Sequence, residues 1–252
     1  MSRLAIKNFL GPAKLHLDIG CTHLVLQNGK SLTRHKLSTP LKLGIPDRDT
    51  LAELRVALVN ICATVASGTS RLEISVSDAI ARSWIVERLP GLASVQEIEA
   101  LAAAQMQQRY GDSDGEAAEW IIRLDAIPFA QRWPAIALPK ELLALLLEFA
   151  TLQGWVLGKI QTRFVRCLNA EPKPLFSRSK VVVYSLDTPD GLAIGIRQKQ
   201  AWLALRTHPP LALLSTSLPA MLRRESRAAG LNLDDCRVQA LQWPANKEVA
   251  CV

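Results

Sequence analysis

One order of elements, three strands followed by a helix and a strand, recurs at the two ends of this chain. The recurrence constrains the fold more than any motif does, because a chain that builds one unit twice builds two similar sheets. At the first end, apolar residues alternate from about Lys14 to Ile19 and from about His23 to Gln27, the period of a strand. Asn28-Gly29 suits a tight hairpin turn, since both residues tolerate positive φ, and "SLTRHKLS" completes a meander. Thr50-x-x-Glu53 has capping-box spacing and is expected to open a helix with Leu54, Leu58, Ile61, Cys62 and Val65 on one face, stopped by Gly68. "RLEISVS" follows as a strand. At the other end "KVVVYSL" reads as a buried strand, "DTPDG" as a turn, and "LAIGIR" and "AWLALRT" as two strands joined at Gln198 to Gln200. Ser217, Pro219 and Gly230 frame a helix, and "CRVQALQW" is the closing strand.

Between the two units the pattern differs. Ser94-x-x-Glu97 is a second capping box, for a helix ending near Gly111. "EWIIRLDAI" and "RWPAIALP" read as strands. Pro139 opens the helix "KELLALLLEFATLQ", Gly154 ends it, and "WVLGKIQTRFVRCL" reads as one long strand. The middle is another layer or an insertion rather than a separately linked domain. The Pro- and Lys-rich stretch from Asn169 to Lys180 is the best boundary, which gives a first lobe with an inserted subdomain over 1–170 and a shortened second lobe over 171–252.

With 49% apolar residues in 252, the chain can bury a large core and is not a disordered segment. The net charge of +7 permits an anionic partner without requiring one. The five cysteines, Cys21, Cys62, Cys167, Cys236 and Cys251, are odd in number with no CxxC pair, and read as free thiols of a reducing compartment. Met1 to Leu10 carries Arg3 and Lys7 but no signal-peptide apolar region follows. The longest apolar run, "LLALLLEFATL", is too short to span a bilayer and is broken by Glu148. Attachment to a membrane would therefore run through a partner or an anchor outside this chain.

Two such halves, the first opening with "LDIG", resemble the ribonuclease H-like, actin-type ATPase fold of the α/β class. In "SVSDAIARSWIVERLPGLASVQEIEALAAAQMQQRYG" a strand, an arginine, "LP" and a helix resemble the subdomain insertion of one branch of that fold. The "ALP", helix, "GW" run from Ala137 to Trp155 points the same way. The branch comprises the cytoplasmic actin-like proteins of bacterial type IV pilus assembly and the cytoplasmic domain of the type II secretion L protein. The likeness covers most of the chain as a pattern, and "LDIG" is its only motif.

The resemblance implies a nucleotide site made of two facing carboxylate hairpins and a glycine-rich adenosine motif. Asp18, Gly20 and Thr22 match the first phosphate hairpin, although His23 stands where a small residue is usual. The second half has no Asp-x-Gly at its strand end near Tyr184 to Leu186; Asp187 and Asp190 come later, and Pro189-Asp190-Gly191 reads as a turn. No glycine-rich hairpin follows the last strand. Two of the three elements are missing, so a fold degenerate for nucleotide binding is expected, without ATP, Mg²⁺ or enzyme activity. Asp18 is then expected to serve the amides of its own turn.

His16, His23, His35 and His208 lack metal-ligand spacing, and no G-x-S-x-G, Walker A or GxGxxG occurs. The basic run Lys159, Arg163, Arg166, Lys173, Arg178 and Lys180 reads as a solvated face, with only Phe164 interleaved, which argues against nucleic acid. Three functions stay open. The first is a non-catalytic cytoplasmic scaffold, peripheral at the inner membrane, linking membrane proteins of a pilus or secretion machine to an assembly ATPase. The second is an active ATP-binding protein of the same fold. The third is a metal-dependent nuclease, which would need Asp18, Glu73 and Asp78 gathered together. The resemblance also implies that a short peptide from the cytoplasmic tail of a membrane protein docks between subdomains. Trp84, flanked by Arg82 and Arg88, is the candidate contact. A docking Trp84 is partly exposed, and a packing one is buried.

Overall fold

The computed structural model describes residues 13–41, 46–63, 65, 70–89, 91, 94–110, 120–125, 131–171, 181–199 and 201–243. The first unit comprises β1 (Ala13–Ile19), β2 (His23–Asn28), β3 (Ser31–Lys36), α1 (Arg48–Cys62) and β4 (Ser70–Val76). The middle comprises β5 (Arg82–Glu87), α2 (Val95–Tyr110), β6 (Trp120–Leu124), β7 (Arg132–Pro139), α3 (Lys140–Leu152), β8 (Val156–Thr162) and α4 (Arg163–Ala170). The last unit comprises β9 (Val181–Thr188), β10 (Gly191–Gln198), β11 (Ala201–His208), α5 (Leu218–Ala228) and β12 (Arg237–Ala240).

These strands make three sheets, ordered β3-β2-β1-β4-β8, β11-β10-β9-β12 and β5-β7-β6. In the first sheet β1, β4 and β8 run parallel and β2 antiparallel to β1. The second sheet repeats the arrangement, with β12 parallel to β9. This is the actin-like fold the recurring element order implied. The described strands of the first sheet all precede residue 163, and those of the second all follow residue 180.

Period-two alternation decides what each sheet can bury. In the first sheet Leu15, Leu17 and Ile19 of β1 and Leu72, Ile74 and Val76 of β4 face a core closed by α1 and α3, with Leu54, Leu58, Leu142, Leu146 and Phe149. The same alternation turns Lys14, His16 and Asp18 to the opposite face. The second sheet is buried on both sides. Val183, Leu192, Ile194 and Ile196 meet Met221 and Leu222 of α5. Tyr184, Leu186 and Ala193 meet Phe164 and Cys167 of α4, together with Trp243. The inserted sheet has its own core, in which Trp84, Val86, Trp133 and Ala135 pack on Ile98, Ala102 and Met106 of α2. Its strands β5 and β7 lie against β11 of the second sheet.

The helix boundaries show where local signals succeed. The Ser94–Glu97 capping box forms: the Ser94 amide donates to Glu97 Oε2 at 2.9 Å and the Glu97 amide to Ser94 Oγ at 3.2 Å. The Thr50–Glu53 box does not. α1 starts a turn earlier, capped by Asp47, whose Oδ1 accepts from the Thr50 amide at 2.7 Å. That places Glu53 in the second turn, where it accepts from the Ser38 and Thr39 amides and holds the loop after β3 onto the helix. α1 ends at Cys62, and Gly68 lies outside the described residues. The long strand expected from Trp155 to Leu168 stops at Thr162, and the chain turns into α4. Asp47→Ala is expected to lower stability by about 1 kcal/mol in urea unfolding, with Asp47→Asn recovering most of it, because both residues cap helices well.

Candidate functional site

The end of the β1–β2 hairpin holds Asp18, Gly20 and Thr22 within one tight turn. The turn closes through its backbone, the Gly20 amide donating to the His23 carbonyl at 2.8 Å. Thr22 Oγ1 lies 2.6 Å from His23 Nδ1. Asp18 does not serve these amides. Its carboxylate receives a two-point fork from Arg163, Nε to Oδ1 at 2.9 Å and Nη2 to Oδ2 at 2.7 Å. Arg163 Nη1 donates in turn to Asp190 Oδ2 at 2.5 Å. Asp190 Oδ2 also accepts from the Cys21 amide at 3.1 Å, which ties the tip of the second lobe's β9–β10 hairpin to the backbone of the first. All three side chains are at most 7% exposed.

Local structure explains how an arginine comes to lie there. Thr162 caps α4, its Oγ1 accepting from the Val165 amide at 3.2 Å. Asp78, after β4, accepts from the Phe164 amide at 2.9 Å. Two side chains therefore anchor the first turn of α4, and Arg163 is its first residue. Phe164 projects into the second lobe, flush against Gly195 of β10, where a Cβ would come within 2.5 Å of its ring. Gly20 is as constrained, since a Cβ there would collide with Arg163 Nη2. The Arg163 guanidinium also lies over the Trp243 ring, 5.2 Å from its centroid.

The electrostatics follow from burial. Burial opposes the charge on Arg163, but Asp18 and Asp190 outweigh it and hold the guanidinium protonated above its ordinary range. Burial raises the Asp18 carboxyl, against the pull of Arg163. Burial likewise pushes the Asp78 carboxyl up to about 6, against hydrogen bonds from Thr162 and the Phe164 amide. His16 is driven down to about 3, first by burial and then by Arg166, Lys14 and Lys159.

Several expectations from sequence need correction. Arg163 is not on a solvated face, because it opens α4 buried between Asp18 and Asp190. Its helical neighbours Phe164, Cys167 and Leu168 have i, i+3, i+4 spacing, a signal that could have separated α4 from β8. Asp190 is more than a turn residue: β9 runs on to Thr188, so the carboxylate sought near Tyr184 to Leu186 stands at the hairpin tip instead. Asp18, Glu73 and Asp78 are not gathered. Glu73 pairs with Lys14 at 3.1 Å and Lys159 at 3.8 Å, and Asp78 caps α4. Among the described residues no three His, Cys, Asp or Glu side chains are grouped to hold a metal. Lys173, Arg178 and Lys180 lie outside the described residues.

Trp84 is fully buried in the core of the inserted subdomain beneath α2, so its ring packs and offers no docking surface. Arg82 and Arg88 are partly exposed, at the first residue of β5 and just past its last. A different concavity lies at the other edge of the insertion. It encloses about 240 Å³ between β6, β7, α3 and β8, and is lined by Ile121, Arg123, Ile136, Leu138, Leu143 and Ile160. Its wall is almost wholly apolar, with Arg123 as its charged group.

No protein-family model matches the chain, and no curated protein matches its sequence. Solved structures do match. A Bacteroides thetaiotaomicron protein of actin-like ATPase fold and unknown function aligns over 94% of this chain and 84% of its own, with TM-score 0.54 and 10% identity. The PilM–PilN type IV pilus biogenesis complex matches over 88% of this chain and 71% of that one, with TM-score 0.49 and 17% identity. The cytoplasmic domain of EpsL, an inner membrane component of the Vibrio cholerae type II secretion system, matches over 76% and 70%, with TM-score 0.45 and 8% identity. The chain has the actin-like ATPase fold. Among the described residues no helix is long and apolar enough to cross a membrane.

Removing one partner of a buried ion pair leaves an uncompensated charge. Asp18→Ala is therefore expected to cost about 3–5 kcal/mol in urea unfolding, as is Arg163→Met, whereas the double variant Asp18→Asn/Arg163→Met recovers part of that loss. A second prediction concerns pH. The unfolded His16 titrates near 6.5 and the folded one near 3. Between those values the unfolded chain binds a proton that the folded chain does not, so this residue removes stability as pH falls, by up to about 1.4 kcal/mol per unit. Asp78 acts in the opposite sense between 3.8 and about 6, where the folded state binds the extra proton. The stability difference between His16→Gln and the parent should therefore shift toward the variant as pH is lowered from 7 to 5, read by urea unfolding at each pH.

Proposed function

We propose that this chain is a non-catalytic scaffold of actin-like fold, acting on the cytoplasmic side of a bacterial inner membrane within a type IV pilus or type II secretion machine. The observation that carries the loss of catalysis is the Arg163 guanidinium fixed between Asp18 and Asp190. A magnesium nucleotide needs both hairpin carboxylates turned to the metal's water shell and the hairpin amides free for phosphate oxygens. Here both carboxylates are paired with an internal cation, and the Cys21 amide is held by Asp190. These residues do not fit the group. The lobes are joined without it, and what remains of the ancestral machinery is a shape.

The sequence resemblance is what assigns the machine, and the apolar groove beside the insertion gives that assignment a physical place to act. A short extended peptide must bury anchor side chains to offset its ordering cost. The groove lined by Ile121, Ile136, Leu138 and Leu143 accepts such anchors, and Arg123 at its wall can receive a carboxylate. The peptide is the cytoplasmic tail of an inner-membrane protein, and the scaffold passes the connection on to the assembly ATPase.

Two measurements check this. Thermal unfolding with MgATP up to millimolar concentration should show no rise in Tm, since a ligand that binds only the native state raises it with the logarithm of its concentration above Kd. A concentration-dependent rise would show a live nucleotide site. Ile121→Arg should weaken capture of cytoplasmic-tail peptides from the host's pilus and secretion membrane proteins by at least about tenfold, the loss of one buried anchor, with little change in Tm. Unaltered capture would remove the groove from the proposal.

A further inference from the structure

The polar face of the first sheet, turned away from α1 and α3, carries a second concavity of about 470 Å³. Its floor is a row across four strands, with a bulge in the β4–β8 pairing just before Glu73. Strand register aligns Gln27 of β2 with His16 of β1, His16 with Glu73 of β4, and Glu73 with Lys159 of β8. α4 supplies one wall, with Arg166 and Asn169, and Lys14 stands at the start of β1. Four neighbouring strands thus present polar side chains at one level, where a sheet covered by its own helix would present apolar ones.

The charges in this cavity do not balance. Glu73 is shared between Lys14 at 3.1 Å and Lys159 at 3.8 Å. Arg166 is partly buried, reaches Ser75 Oγ only at 3.5 Å and lies over the Trp243 ring at 5.2 Å. Among the described residues it makes no ion pair. Three cations therefore surround one carboxylate, and a partly desolvated guanidinium has no anion in contact, only the longer-range attraction of Asp18 and Glu73, an arrangement that favours the arrival of one. Carboxamides from Gln27, Gln161 and Asn169 add N–H donors around the same space.

We propose that this cavity binds a phosphate-bearing dianion. Two excess positive charges match a dianion, the guanidinium fork suits phosphate oxygens, and the volume leaves room for a second phosphate or an attached organic group. The phosphate belongs either to a free small molecule or to a lipid headgroup. The site is distinct from the Arg163–Asp18–Asp190 lock and does not depend on the peptide groove.

Titration of the full chain with sodium pyrophosphate, against sodium chloride of equal ionic strength, tests the free form. Flotation with phosphatidylcholine vesicles, with and without phosphatidic acid, tests the headgroup. Lys159→Gln and Arg166→Gln should each weaken binding by roughly tenfold, the worth of one charge-assisted hydrogen bond. Glu73→Gln should tighten it severalfold by removing the competing carboxylate, a gain that damage to the fold would not produce. Binding of pyrophosphate with these responses supports the free ligand; binding of phosphatidic acid vesicles alone with the same responses supports the headgroup. Absence of binding to both, or binding that ignores the three substitutions, overturns the proposal. If Arg166→Gln fails to fold, Lys159→Gln and Glu73→Gln carry the test, and Ile121→Arg, which disables the groove alone, should leave it unchanged.

Discussion

A single buried guanidinium sets the relation between the two lobes. Arg163 forks onto Asp18 of the first sheet and reaches Asp190 of the second. Taking these charges out of water is costly, and their attraction compensates only when geometry satisfies nearly every donor and acceptor. The surrounding structure supplies that geometry. Thr162 and Asp78 fix the first turn of α4, Gly20 lets the hairpin approach, and Phe164, next in sequence, anchors the helix in the opposite lobe against Gly195.

A cleft filled from within behaves differently from one filled by a ligand. Arg163 belongs to the chain, so unlike a bound ligand it does not dissociate from Asp18 and Asp190 into solvent. Two concavities among the described residues border the first sheet. Its edge strand β8 serves both, Ile160 lining the apolar groove and Lys159 the polar cavity, before the chain turns into α4 and supplies Arg163 and Arg166. One short segment thus contributes to the lock and to both concavities, which follows from the alternation of β8 and the change to helical spacing at Thr162.

Most of the architecture was legible in the sequence. Alternating Leu15, Leu17 and Ile19, or Leu72, Ile74 and Val76, describe half-buried strands because a strand turns by half a revolution at each residue. The Ser94–Glu97 box and the limits of α3 were equally readable, since they depend on groups a few residues apart. Thr50–Glu53 carried the same signature and misled, because Asp47 begins α1 a turn earlier and Glu53 is drawn to the loop after β3. Asp18 was found, but not its role. Its partner lies 145 residues away, in a stretch whose charge pattern resembled an exposed face.

The sequence by itself determined the order of elements apart from α4, the faces of the strands and the carboxylate at the end of β1, all of which rest on period and short-range hydrogen bonding. Only the tertiary structure decided that Arg163 faces inward, that Asp190 completes its site and that Trp84 is core. Those outcomes depend on which groups of distant segments are desolvated together. The free energy of burying a charge is set by the partners that surround it after the chain has closed, and nothing in its neighbours along the sequence records them.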